Sequence, residues 1–203
     1  MTTPPPGLRE RKKNATRQAL REAALRLAMG HGPENVRVDD IAESAGVSPR
    51  TYNNYFSSRE QAIVAAVTAD REARVAAAVA AGPAGVRLSA AVTEAIVAQY
   101  ADPGGRAVLT LITAHPALRK AFLGAAADLT DPLAAVLAAR LGDSGGQAAE
   151  VLSASVAAAV GIALRRWLRP AGSGLVVVSG SLPDLLRAAL APLAPALDAA
   201  ESG

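Results

Sequence analysis

Residues 36–63, VRVDDIAESAGVSPRTYNNYFSSREQAI, constrain the fold more than any other stretch of the chain. Val38, Ile41 and Ala45 recur at helical spacing, so Val38–Ala45 is predicted as a short helix with those three side chains inward. Gly46 breaks that register and Val47 packs down. Ser48 supplies an N-cap oxygen for a second short helix, and Pro49 falls at its first position, where a missing N–H costs nothing. That helix is expected to end near Phe56. Ser57 and Glu60 have the spacing of a capping box and open a long fourth helix, about 58–81, which Gly82-Pro83 ends. Upstream, Leu20, Ala24 and Leu27 form an apolar stripe on a helix from about Arg9 to Met29, stopped by Gly30 and Gly32. Two short helices around a glycine turn, buried against a longer one, leave the second of them presented to solvent.

A helix presented in this way fits the major groove of B-DNA, where base edges carry a readable pattern. Its outward side chains are expected to be Pro49, Arg50, Asn53 and Asn54, with Tyr55 at the far end. Arg pairs with guanine through two hydrogen bonds and Asn with adenine likewise. Thr51 and Tyr55 carry hydroxyls suited to phosphate oxygens, and Ser48 at the helix start joins the candidate set. Arg59, in the first turn of the fourth helix, sits where a guanidinium and the helix dipole together favour an anion. Arg37 precedes the first short helix and can reach a phosphate; Arg17 lies on the basic first helix. The charge distribution points the same way. Residues 1–26 carry seven Lys and Arg against two Asp and Glu, whereas residues 75–203 carry nine of each. Phosphate binding needs such a localised basic segment, although a solubilising tail would have the same charge.

The rest of the chain reads as Ala/Leu/Val helices with Gly/Pro punctuation: about Leu88–Tyr100, Gly105–Thr113, Pro116–Leu141, Gln147–Leu168 and Ser181–Ala191. Pro132 is expected to kink or split the third of these, and Pro192 and Pro195 to end or kink the last. The β-branched run Leu175–Val178 is compatible with an extended segment. Cysteine is absent, which excludes disulfides and thiolate metal sites and fits a reducing, cytoplasmic setting. Residues 1–8, with three consecutive prolines, read as a disordered arm, and no signal peptide is expected. The longest apolar run, Val151–Leu164, is shorter than the roughly 20 residues a bilayer requires, so no membrane partner is expected.

At the turn and its flanking helices the sequence resembles the tetracycline-repressor (TetR) family of regulators, over roughly residues 14–65. The matching elements are Val38-Asp39-Asp40-Ile41-Ala42, Gly46-Val47-Ser48, Thr51 to Phe56 and Arg59-Glu60. Two features depart from the family pattern. Arg37 stands where a capping threonine is usual, and Tyr52-Asn53-Asn54 where Leu-Tyr-His or similar is common, so base preference does not carry over. The resemblance implies an all-α protein, with an N-terminal helix-turn-helix domain at 9–62 and a helical ligand-binding and dimerisation domain at 63–203. It further implies a homodimeric repressor, released from a palindromic operator in double-stranded DNA by a small apolar molecule. The segment from Arg106 through Ala114-His115-Pro116-Ala117-Leu118-Arg119, with Trp167-Leu168, resembles a subgroup of these regulators associated with acyl-type ligands.

Candidate pocket residues are the few large or polar side chains among small apolar ones: Tyr100, Arg106, His115, Arg119, Phe122 and Trp167. Each has an ordinary alternative as core filler, helix cap or surface charge. Apolar content on more than one face of Gln147–Leu168 predicts a helix covered on two sides, either by its own core on one side and a partner subunit on the other or by internal core on both. Leu182, Leu186, Leu190, Leu193 and Leu197 continue an apolar seam. Catalytic residues, metal ligands and cofactors are not expected. Gly142-Asp143-Ser144-Gly145-Gly146 spells the G-x-S-x-G string of serine hydrolases, but a helix precedes it where that mechanism needs a strand. An enzyme is thus the distant second class. A third is a helical adaptor that binds a partner protein, which would shift no DNA.

Overall fold

The computed structural model describes residues 7–68, 71–83, 85–100, 105–142, 146–168 and 180–202, all helix, turn or irregular backbone with no strand among them. The Leu175–Val178 run and most of the N-terminal arm lie outside these residues. The chain divides into two compact units, Met1–Val67 and Thr68–Gly203, so the division falls a little beyond the expected 62/63.

In the first unit α1 spans Leu8–His31, slightly longer at both ends than predicted. Gly30 stays helical, and the helix stops at Gly32, whose φ of +81° only glycine adopts without strain and whose N–H donates to Ala28 O at 3.1 Å. A 3-10 turn at Pro33–Asn35 leads to α2 (Val38–Ser44), then α3 (Pro49–Asn53) and α4 (Arg59–Thr68). Leu20, Ala23, Ala24 and Ala28 of α1 are buried with Ile41 and Ala42 of α2, Tyr52 of α3, and Ala62, Ile63 and Val64 of α4. Leu27 is only half-buried.

The capping box before α4 lies one residue beyond its predicted place. Ser58 Oγ accepts from Gln61 N–H at 3.1 Å, while Gln61 Oε1 accepts from Ser57 N–H at 2.8 Å and from the Ser57 hydroxyl at 3.0 Å. Glu60 instead accepts from Arg59. The expected helix 58–81 is helical at both ends, since α5 runs Arg71–Ala80; residues 69–70, between them, lie outside the described set.

The second unit comprises α5, α6 (Leu88–Tyr100), α7 (Gly105–Ala114), α8 (Pro116–Gly124), a 3-10 turn (Ala125–Leu129), α9 (Thr130–Leu141), α10 (Gly146–Trp167), α11 (Leu182–Leu190), a 3-10 turn (Ala191–Leu193) and α12 (Ala194–Ser202). Pro132 does interrupt the expected Pro116–Leu141 helix, but the break lies upstream of it. A proline ring clashes with the carbonyl four residues earlier, here Asp128, so the backbone passes 125–129 as a 3-10 turn and restarts with Pro132 in the first turn of α9. Pro192 and Pro195 likewise mark the step from α11 to α12 and do not end the helical chain.

α10 is the central element. It packs on α8, α9, α11, α12 and the 125–129 turn, and buries Leu152, Val156, Val160, Ala163, Leu164 and Trp167. By length and composition α10 and the 116–141 stretch could each cross a bilayer, contrary to the expectation from the Val151–Leu164 run, because helical residues extend beyond it. For α10, 56% of the apolar window is inside the protein, as in a core helix, and the longer stretch is broken by the 3-10 turn. α12 closes on α6: Leu88 N–H donates to Glu201 Oε2 at 2.9 Å and Ser89 N–H to Asp198 Oδ1 at 3.0 Å. Arg140 of α9 joins this latch, donating to Glu201 Oε1 at 2.8 Å and to Val86 O at 2.6 Å.

Candidate functional site

α3 is held by its ends and by one buried ring. Ser48 Oγ accepts from Thr51 N–H at 3.1 Å, and Pro49 occupies the first turn, as expected. The turn before it passes through Gly46 at φ +70°, and Val47 N–H donates to Ala42 O at 2.9 Å. Tyr52 is fully buried, its hydroxyl donating to Ser58 O at 2.8 Å and its ring tilted 44° against Phe56 at 5.8 Å. Burial, with the Glu60 charge adding, pushes the Tyr52 phenol up to about 12. Fixing Tyr52 inward determines the opposite face. Ser48, Pro49, Arg50, Asn53 and Asn54 are exposed, and Thr51 and Tyr55 half-buried. Thr51 Oγ1 shares a hydrogen bond with Ser48 Oγ at 2.9 Å.

Of the flanking cations, Arg17 is exposed, with its guanidinium carbon 5.9 Å from the Phe56 ring centre. Arg37 is exposed at the N-cap of α2, and there the missing threonine is compensated from inside the helix: Asp40 Oδ2 accepts from Arg37 N–H at 3.2 Å. Arg59 departs from its expected open position. Its Nη1 donates to Glu34 O at 3.0 Å and Val36 O at 2.7 Å, and its Nε to Glu60 Oε1 at 2.8 Å. This guanidinium ties the start of α4 to the segment before α2. The Glu60 carboxyl is lowered even though burial, its strongest influence, raises it, because Arg59, its own backbone and Ser58 hydrogen-bond the charged form.

In the second unit Tyr100 and Phe122 are buried and share a neighbour that sequence reasoning missed. Arg71, only 2% exposed, lies over both rings, its guanidinium carbon 4.5 Å from the Tyr100 centre and 5.9 Å from that of Phe122. Burial raises the Tyr100 phenol to about 12, against the lowering effect of Arg71. The remaining pocket candidates do not share one setting. His115 occupies the N-cap position of α8 without a side-chain cap bond, Arg119 is half-buried, and Trp167 lies on the core face of α10. The Arg106 side chain lies outside the described residues. No group of three or more His, Asp or Glu residues suited to a metal ion occurs among the described residues. The Gly142–Gly146 string falls between α9, capped by Gly142, and α10; residues 143–145 are outside the described set.

The first unit therefore has the geometry of a helix-turn-helix protein, with a short capped helix offering Arg and Asn side chains to solvent. Residues 20–66 match the family described as bacterial regulatory proteins, tetR family. The HTH-type transcriptional regulator TcmR of Streptomyces glaucescens is 32% identical over 148 residues, covering 68% of this chain and 65% of that protein, just under two thirds of its length. The HTH-type transcriptional regulators BetI of Rhizobium meliloti and of Agrobacterium fabrum are 43% and 46% identical over 51 and 48 residues, about a quarter of each chain. Over residues 20–66 the first unit is thus similar to the tetR family of bacterial regulatory proteins, and the wider likeness is to a transcriptional regulator.

Proposed function

We propose that this chain is a cytoplasmic, homodimeric transcriptional repressor that binds a palindromic operator in double-stranded DNA and is released from it by a small apolar, acyl-type molecule. The observation that carries the reading is the two-sided character of α3 and its C-cap: Tyr52 is buried, while Arg50, Asn53 and the C-cap Asn54 are exposed. Arg and Asn are the side chains that read guanine and adenine through paired hydrogen bonds. Arg17 and Arg37 are the expected phosphate contacts, with Ser48, Thr51 and Tyr55 as hydroxyl partners. No catalytic step is assigned, in keeping with a family of DNA-binding transcription factors.

The dimer reading is supported by α10. Val151, Ala154, Ala158 and Ile162 are exposed at spacings of three and four, and Val151 and Ile162 are 59% and 42% exposed. An apolar stripe left open along a core helix suits an isologous two-fold contact, and a two-fold protein matches a palindrome. The ligand reading is supported by the buried aromatic residues Tyr100 and Phe122 within an otherwise small-residue helical unit.

Selection from a random double-stranded DNA pool with the full chain tests the function. The expected product is an inverted repeat bound by two protomers, with log affinity falling linearly in log salt. Failure to enrich any DNA sequence would overturn the reading in favour of a protein-binding adaptor.

A further inference from the structure

Arg71 is the fourth residue of the second unit and opens α5. It stands in the core register of that helix: Arg71, Val75 and Val79, one turn apart, are 2%, 0% and 0% exposed. A guanidinium there has given up its water and must recover the loss from hydrogen bonds and opposite charge. The Tyr100 and Phe122 rings cover its face. A ring face offers nothing to the in-plane Nε–H, which is buried and has no acceptor among the described residues. Tyr100 hydrogen-bonds the guanidinium and the charge of the adjacent Glu72 acts on it, so that the Nε–H is the group left unmet. Burial raises the Glu72 carboxyl above its ordinary value and Asp128 adds to this, against the lowering effects of its backbone hydrogen bond, Arg71 and Arg74.

We propose that the Nε–H of Arg71 anchors an anionic oxygen of the effector, which is therefore an apolar molecule carrying one carboxylate or ionised phenol, with its apolar body against Tyr100 and Phe122. This rests on the ligand-responsive reading above and narrows its ligand class. A carboxylate accepting side-on from a guanidinium meets donors already fixed in one plane, so little ordering is lost on binding. The anchor also lies at the chain's entry to the second unit, four residues after Val67 closes the first. A ligand that pulls on the first turn of α5 acts on the covalent connection to the DNA-binding unit, the place where a difference in affinity between two conformations can shift the population.

Calorimetry on the full chain tests the anchor with three matched pairs: 2-naphthoate and its methyl ester, decanoate and its methyl ester, and 2,4-dinitrophenolate and 2,4-dinitroanisole. At least one anion is expected to bind about tenfold or more tighter than its neutral partner, the size of one charge-assisted hydrogen bond. The naphthoate and decanoate arms report a carboxylate and the dinitrophenolate arm a phenolate. Arg71→Met keeps the stem and removes the charge. It should abolish the preference and leave neutral-partner binding and melting temperature no lower, because a buried charge is lost with it. Arg71→Lys keeps the charge without the Nε donor and should also lose most of the preference. Equal binding within every pair, no binding of any anion, or a preference undiminished in both variants overturns the anchor. Operator affinity in the same samples separates the two readings. An anion bound through Arg71 that leaves DNA affinity unchanged upholds the anchor and removes ligand-controlled release.

Discussion

Replacing Arg59 with alanine decides between two roles for that residue. Its position at a helix start suggests a phosphate contact. The structure instead engages its guanidinium with Glu34 O at 3.0 Å and Val36 O at 2.7 Å. A hydrogen bond from a charged donor contributes about 1.5–3 kcal/mol when well desolvated. The side chain is 35% exposed, so water replaces part of the loss, and the neighbouring Glu60 ion pair adds little at that exposure. A total near 2 kcal/mol follows for Arg59→Ala, all of it within the first unit. Hydrogen exchange by NMR reads this locally. The amides of Val47 and Tyr52, bonded to Ala42 O and Ser48 O, should exchange about 30-fold faster, while Leu168, bonded to Leu164 O in the second unit, should not change. DNA binding should weaken with the stability of the unit, and its salt dependence should keep the parent's slope. Unchanged protection together with a slope shallower by about 0.9 would refute the bracing role and restore a phosphate contact.

Arg50→Ala should cost about 1–3 kcal/mol against the selected operator and relax preference at one position, read from a set of single-base variants; uniform weakening across the set would make Arg50 a phosphate contact. Ile162→Arg places a charge on the open stripe of α10, opposite its own copy in a two-fold contact, and should yield monomers at micromolar concentration in sedimentation with helix content intact; a persisting dimer would move the interface off this stripe. Glu201→Ala removes both the cap on Leu88 N–H and the partner of Arg140 and should lower unfolding free energy by about 1–2 kcal/mol in urea titration; no change would mean that solvent caps α6 equally well. Hydrogen bonds from the Ser89 hydroxyl and N–H, with Arg87 assisting and slight desolvation opposing, hold the Asp198 carboxyl below its usual value. Its folded pKa is thus below its unfolded one, and its stabilising contribution is complete above the ordinary carboxylate range and lost as pH falls through that range. Asp198→Asn should flatten the acid limb of a stability–pH profile, and an unaltered limb would remove the charge from the latch.

The first unit was legible because its signals are local. Ser48 caps α3 three residues ahead, Gly46 makes the turn, and Pro49 starts the helix, each within one turn of its effect. The capping box before α4 was placed one residue early because Ser57-Ser58 and Glu60-Gln61 offer two boxes with identical spacing. Contacts outside the pattern make the choice: Tyr52 pins the Ser58 carbonyl, and Arg59 takes Glu60, leaving Ser58 and Gln61 to close the box. The intramolecular bonds of Arg59 escape the sequence for a related reason. Its carbonyl partners lie 25 and 23 residues upstream, beyond the reach of any periodicity argument.

The second unit was legible as helices but not as a site, because alanine-rich helices show weak contrast between their faces and large residues then draw the eye. Tyr100 and Phe122 stand out by size, and both lie against Arg71, which size does not single out. Arg71 did carry a signal, since residues 71, 75 and 79 form one line on α5, and a cation aligned with two valines on a core face is either misfolded, paired or bound. Arg74, three residues on and about 60° away round α5, is exposed, and its Nε donates to Gln99 Oε1 at 2.9 Å. The chain keeps Arg74 at the surface, hydrogen-bonded, and leaves Arg71 inside under two aromatic rings with a donor unmet. On the proposed reading an anionic ligand supplies the acceptor for a donor that folding has already desolvated.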